Sequence, residues 1–149
     1  MAPTPPERPR VFVDSDVLFA GAAGPTGHGA SLVLLTLAEV TLIEAVASQQ
    51  VVTEAERNLA EKLPAALPAF RLLVSRCLHV VLDPASAALR DFVGLAHPKD
   101  LPILAAAALT GCPWLVTFNV RHYTPGHPSV RVLQPGQFVS AVRGRLAGL

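Results

Sequence analysis

Apolar residues in this chain fall in short solid blocks, and the polar residues collect where the blocks end. Val11-Phe12-Val13 is an unbroken apolar run that stops at Asp14-Ser15-Asp16 before Val17-Leu18-Phe19. A run of this kind, without alternation, reads as a strand buried on both faces. Ser31 is placed to cap a helix over residues 32–39, and residues 40–47 read as a second buried strand, interrupted by Glu44. Ser48 is placed to cap the next helix, in which Val52, Ala55, Leu59 and Leu63 recur three and four apart until Pro64 ends it. Pro68 opens a helix to Cys77, residues 78–82 form a third strand, and residues 85–95 a further helix. Asp100 falls at or just before the N-cap of an Ala-rich helix that Pro102 opens and Gly111 ends. Residues 114–118 and 130–133 supply two more strands, and Pro135 opens a closing helix carrying Arg143 and Arg145. Strand-length runs alternating with helices predict an α/β fold with a mainly parallel sheet of four or five strands.

Composition narrows the setting. At 149 residues the chain fits one domain with a sizeable core. With 51% hydrophobic and 15% charged residues, it leaves apolar surface for a partner chain to cover. A net charge of +1 argues against a whole-surface polyanion binder while allowing a local basic patch. Cys77 and Cys112 lack the spacing of a metal or redox pair and read as structural thiols. Residues 1–10 are Pro-rich without a signal core, and no run reaches the length of a membrane span, so a cytoplasmic protein with a flexible leader is expected. The Gly-rich stretch 21–29 lacks the Lys-Ser/Thr ending of a phosphate loop and reads as a flexible connection.

Candidate chemistry lies at the strand ends, since ligands of an open parallel sheet bind beyond the carboxyl ends of its strands. Asp14 and Asp16 follow the first strand, and Asn119, Arg121, His122 and Tyr123 follow the run 114–118. Glu54 and Asp100 come from other segments, each with a simpler reading as well: helix-terminus electrostatics for Glu54 and a plain N-cap for Asp100. Acids gathered at one rim oppose each other's ionisation unless a cation joins them, and oxygen-only ligands favour Mg²⁺ or Mn²⁺.

The chain resembles the PIN domains, metal-dependent ribonucleases that include the VapC-type toxins of bacterial toxin-antitoxin pairs. The resemblance runs through nearly everything after residue 10. It rests on the apolar strand ending in Asp14-Ser15-Asp16-Val17-Leu18, on Glu54-Ala55-Glu56-Arg57-Asn58-Leu59, on Asp100 followed by Ile103-Leu104-Ala105-Ala106-Ala107, and on Leu115-Val116-Thr117-Phe118-Asn119-Val120-Arg121-His122-Tyr123. It implies a three-layer PIN-like domain over residues 11–149, with a central parallel sheet flanked by helices. It also implies a Mg²⁺- or Mn²⁺-dependent endoribonuclease that cleaves single-stranded RNA, is blocked by a small antitoxin and forms homodimers. Asp14, Glu54 and Asp100 take the places of the family's metal-binding acids, with Asp16 a fourth candidate ligand. Asn119 joins Asp14, Glu54 and Asp100 as a catalytic candidate, while Asp16, Thr117, Arg121 and His122 are candidates for binding or orienting substrate. Two positions depart from the pattern: Asn119 stands where the family usually carries an acid, and Asp16 where it more often carries Asn or another small polar residue.

Two rival readings remain. In a haloacid-dehalogenase-type phosphatase Asp14 would be the nucleophile and Asp16 the general acid, but that chemistry also needs a Lys and downstream acids. The only lysines are Lys62 and Lys99, and no acid follows Asp100. The other rival is a non-catalytic PIN-like module that binds RNA or protein, which the amide at Asn119 favours.

Overall fold

The structure, a computed structural model, describes residues 8–23 and 29–147, the last two of these for backbone only. Most of the leader 1–10 and the centre of the Gly-rich stretch 21–29 lie outside the described residues.

Five strands form one parallel sheet: β1 (Arg10–Val13), β2 (Glu44–Ser48), β3 (Leu78–Val81), β4 (Trp114–Val116) and β5 (Arg131–Leu133). Their order is β3-β2-β1-β4-β5. The sequence allowed four or five strands, and five are present among the described residues. β1 is central, and Val11, Phe12 and Val13 are wholly buried, as an unalternating run requires of a strand covered on both faces. Phe12 lies opposite Val46 of β2 and Leu115 of β4, so large apolar side chains sit in register across the middle of the sheet.

Among the described residues six α-helices complete the layers: α1 (Ser15–Ala23), α2 (Ala30–Glu39), α3 (Gln49–Lys62), α4 (Leu67–Cys77), α5 (Leu101–Leu109) and α6 (Pro135–Ala147). α1 packs on α2 and α3, and α2 on α4 and α6. The chain runs outward from β1 through β2 to β3, then crosses back past β1 to β4. Right-handed crossovers in opposite directions put α5 on the other face of the sheet. Strand order thus reverses between β1 and β4, the position where open α/β sheets bind their ligands.

Local chemistry explains the element ends. Ser48 Oγ accepts from Val51 N at 3.5 Å, and Asp83 Oδ1 accepts from Gln50 N at 2.9 Å, so two orphan amides of α3 are satisfied. Pro68 lies in the first turn of α4. At the end of α5, Gly111 has φ 72°, its N–H donating to Ala108 O and that of Cys112 to Ala107 O: a Schellman close that favours glycine. Cys77 and Cys112 are free and buried. Among the described residues no helix is long and apolar enough to cross a membrane.

Several expectations need correction. Val17-Leu18-Phe19 form the body of a helix, α1, which starts directly after Asp14 and takes in residues 21–23, expected to belong to the flexible connection. Ser31 is not a cap; Gly29 holds the N-cap of α2, and Ser31 is buried in its first turn. The second strand begins at Glu44, because residues 40–42 close α2 instead. Thr41 N donates to Ala38 O and Leu42 N to Leu37 O, with Thr41 at φ 64°, leaving Val40 and Leu42 55% and 45% exposed. On α3, Val51 rather than Val52 is buried with Ala55 and Leu59, and Leu63 is exposed. The helix expected over residues 85–95 is a 3₁₀ segment, Ser86–Phe92.

Candidate active site

Asp14 sits at the point where β1 becomes α1. Its N–H continues the ladder to Val116 O at 3.0 Å, while its carbonyl accepts the N–H groups of Val17 and Leu18, the first bonds of α1. The side chain is thereby fixed at a helix N-terminus, where backbone amides favour negative charge. Oδ1 accepts from Ser15 N at 2.7 Å. Oδ2 accepts from the Tyr123 hydroxyl at 2.7 Å and from Thr117 Oγ1 at 2.9 Å.

Thr117 follows β4 directly and is fully buried. Its hydroxyl has one proton, so the 2.9 Å bond to Asp14 takes it, and the 3.4 Å approach to Asp16 Oδ2 is the weaker alternative. The same oxygen accepts from Asn119 N at 3.0 Å. Asp16, in the first turn of α1, turns Oδ2 toward this loop, accepting from Phe118 N at 3.1 Å and from Asn119 Nδ2 at 3.2 Å. Its Oδ1 is buried without a hydrogen-bond partner among the described residues. The two positions that depart from the family pattern are therefore in direct contact.

Electrostatics follow from this crowding. Burial, with Asp14 as a like-charged neighbour, pushes the Asp16 carboxyl up to about 6. Burial likewise raises Asp14, against the three hydrogen bonds that lower it, and Asp100 adds a further rise. Burial and the neighbouring Asp14 charge push the Tyr123 phenol upward, so at neutral pH it is a donor.

Asp100 is the N-cap residue of α5 but makes no side-chain cap bond, so the plain capping role is not the one it performs. Instead its Oδ2 lies 3.0 Å from His122 Nδ1, and the His122 ring stacks on His97 at 5.5 Å between centroids. Glu54 stands apart on α3, 4.0 Å from Lys99 Nζ, in a cleft of about 490 Å³ that Arg57, Asn58 and Gln50 also line. Arg121 and His122 border a second cleft, of about 380 Å³, with Phe118, Asn119 and Gln134.

Asp14, Asp16, Thr117 and Asn119 are thus brought together, Asp100 lies within electrostatic reach, and Glu54 is held toward Lys99. Among the described residues no group of three or more His, Cys, Asp or Glu stands close enough to form a metal cage, so the four expected acidic ligands are not gathered into one shell. The residues present still fit a divalent ion. Mg²⁺ keeps most of its waters and needs only one or two carboxylates. Here two hard carboxylates sit side by side, burial raising the pKa of both, and one buried oxygen, Asp16 Oδ1, lacks a hydrogen-bond partner among the described residues.

Tyr123 is the site residue that the sequence did not single out for a role. It is the only Tyr in the chain and stands in the polar run after β4, which is the signal that would have pointed to it.

The PIN domain profile matches residues 10–121. No curated protein matches the chain in sequence. Among solved structures, VapBC2 from Rickettsia felis, bound to a DNA fragment from its promoter, superposes with a TM-score of 0.64 at 15% identity over 84% of this chain and 98% of that one. PAE2754 from Pyrobaculum aerophilum gives 0.66 at 16% identity, over 91% and 96%. Mycobacterium tuberculosis VapC20, described as a Sarcin-Ricin loop cleaving toxin, gives 0.56 at 22% identity, over 81% and 98%. At such identities the likeness is one of fold.

Proposed function

From the premise that this chain belongs to the PIN-domain family, we propose that it is a Mg²⁺- or Mn²⁺-dependent endoribonuclease acting on single-stranded RNA, and the toxin of a toxin-antitoxin pair. The observation that carries this reading is the Asp14–Asp16 pair, held on Thr117 at the reversal point of the sheet. Asp14 and Asp16 would hold the ion, with Asp100 beside them. The chemistry such an ion supplies is positive charge against the phosphodiester oxygens and acidification of water.

The chain's own groups have separate tasks. Thr117 and Tyr123 fix Asp14 by donating to Oδ2, and Asn119 and the Phe118 amide fix Asp16. His122 orients Asp100. Arg121, and across the site Arg57 and Lys99, are placed to attract a phosphate backbone into the two clefts. The description of VapC20 as a cleaving toxin supports the toxin role, and the antitoxin and a second copy of the chain are the partners this role calls for. Membership of the PIN family leaves the phosphatase alternative without its ground.

One feature favours the non-catalytic module as a second reading: the Tyr123 hydroxyl occupies Asp14 Oδ2, and no acid stands at position 119. A single assay separates the readings. Purified protein is incubated with unstructured RNA and with a phosphomonoester, in Mn²⁺ or in EDTA, alongside Asp14→Asn. RNA cleavage that needs Mn²⁺ and Asp14 is expected. Binding of RNA without cleavage at any Mn²⁺ concentration would decide for the module, and phosphomonoester turnover alone would refute both.

A further inference from the structure

Phe118 is out of keeping with the rest of the chain. The sequence holds six Phe, one Trp and one Tyr, and of these Phe118 alone is exposed, at 47%. It is the residue between Thr117 and Asn119, and its N–H donates to Asp16 Oδ2 at 3.1 Å, so its backbone is tied to the acidic pair while its ring is left in solvent. A single exposed apolar side chain is ordinary on a protein surface; what sets this ring apart is its place beside the acidic pair.

The ring borders the second cleft, of about 380 Å³, which Val120 also lines, together with the polar side chains of Asn119, Arg121, His122 and Gln134. Asn119 spends an amide proton on Asp16, which leaves its carbonyl oxygen as an acceptor. Gln134 carries a second side-chain amide, and Arg121 a guanidinium. A flat apolar face, amides able to pair with the edge of a base, and a cation for phosphate are the groups by which proteins hold an unpaired nucleotide.

We infer that Phe118 and this cleft form a nucleobase subsite, in which an unpaired base of the RNA strand stacks on the Phe118 ring beside the carboxylates that act on the adjoining phosphodiester. The inference rests on the nuclease reading above and adds to it a determinant of which nucleotide is cut. Because the bond to Asp16 comes from the backbone, removing the ring leaves the acidic pair in place.

The test compares wild type, Phe118→Ala and Phe118→Trp. Binding of a fluorescein-labelled single-stranded oligoribonucleotide is measured by anisotropy in EDTA, and KM for its cleavage in Mn²⁺. Oligonucleotides made abasic at one position at a time are included, and thermal melts report on folding. Loss of one stacked base corresponds to a weakening of about five- to 150-fold, so Phe118→Ala is expected to weaken binding and raise KM by a factor in that range while melting like the wild type. Phe118→Trp should restore both. One abasic position should reproduce the loss in wild type and add nothing to it in Phe118→Ala. If wild type cuts RNA and Phe118→Ala matches it in affinity and KM, the subsite is refuted and the nuclease reading stands. If wild type neither binds nor cuts RNA, the nuclease reading falls and takes the subsite with it.

Discussion

Asp16 is a charge that the metal-free protein holds at a cost, and replacing it with Asn should stabilise the fold. Its carboxyl is raised from 3.8 to about 6 by burial and by Asp14. A gap of about two pH units corresponds to roughly 3 kcal/mol at full value, since each unit is worth about 1.4 kcal/mol. Asp16 keeps partial contact with solvent, which screens it, so about 1–2 kcal/mol is the expected share. The native pKa lies above the unfolded one, so between pH 4 and 6 the native state holds a proton that the unfolded state has released. The stability this gives is fully present below pH 4 and lost as the pH climbs through 6. Asp14 is raised as well and adds in the same direction.

Thermal melts in EDTA at pH 5 and pH 7 measure the effect. Wild type should melt higher at pH 5 than at pH 7. Asp16→Asn should melt about 2–8 °C above wild type at pH 7 and depend less on pH. The side-chain oxygen of Asn can still accept from the Phe118 amide, so the loop keeps its anchor. The reasoning is refuted if wild-type stability is flat or rising from pH 5 to 7 while Asp16→Asn is the less stable protein at pH 7.

Two other outcomes follow from the same geometry. Thr117→Val removes a buried hydroxyl that donates to Asp14 and accepts from Asn119 N, and should lower stability by about 2–3 kcal/mol in urea unfolding at pH 7; a loss below about 0.5 kcal/mol would show that Thr117 does not hold the pair. Because Asn119 Nδ2 lies 3.2 Å from Asp16 Oδ2, the carboxylate can be moved across the contact. Asp16→Asn should weaken Mn²⁺ binding about tenfold or more, and Asp16→Asn/Asn119→Asp should recover it in calorimetric titration, whereas a double variant no better than the single one would mean the two positions are not interchangeable.

Those parts of the chain whose pattern follows from burial were legible in the sequence. Val11-Phe12-Val13 is apolar without alternation because both faces are covered, and its end marked Asp14 as a site residue. Gly111 and Pro68 mark helix ends for reasons of backbone geometry alone. What failed was telling one apolar run from another. Val17 to Ala23 has no polar face to give a helical period, because α1 is enclosed by α2 and α3, so no helix is legible there. Val40 and Leu42 are apolar yet belong to the close of α2, through a positive φ at Thr41 between them, which a β-branched residue seldom adopts and which no pattern announces. At the site, the sequence named the acids without their partners. That Glu54 faces Lys99, that Asp100 pairs with His122, and that Tyr123 seats on Asp14 depend on segments meeting across the sheet, which spacing along the chain does not encode.

The bond between Thr117 and Asp14 joins residues 103 positions apart, and the Tyr123 contact spans still more of the chain. Asp14 and Asp16 follow β1, but the side chains that orient them, Thr117, Asn119 and Tyr123, come more than a hundred residues later in the chain. Closing so long a loop is slow and entropically costly, and only β1 pairing with β4 brings it about. A chain cut short before Thr117 would carry both carboxylates and no site. The acidic pair is therefore a product of sheet closure: it takes shape only when β4 docks on β1, and any intermediate short of that step lacks it.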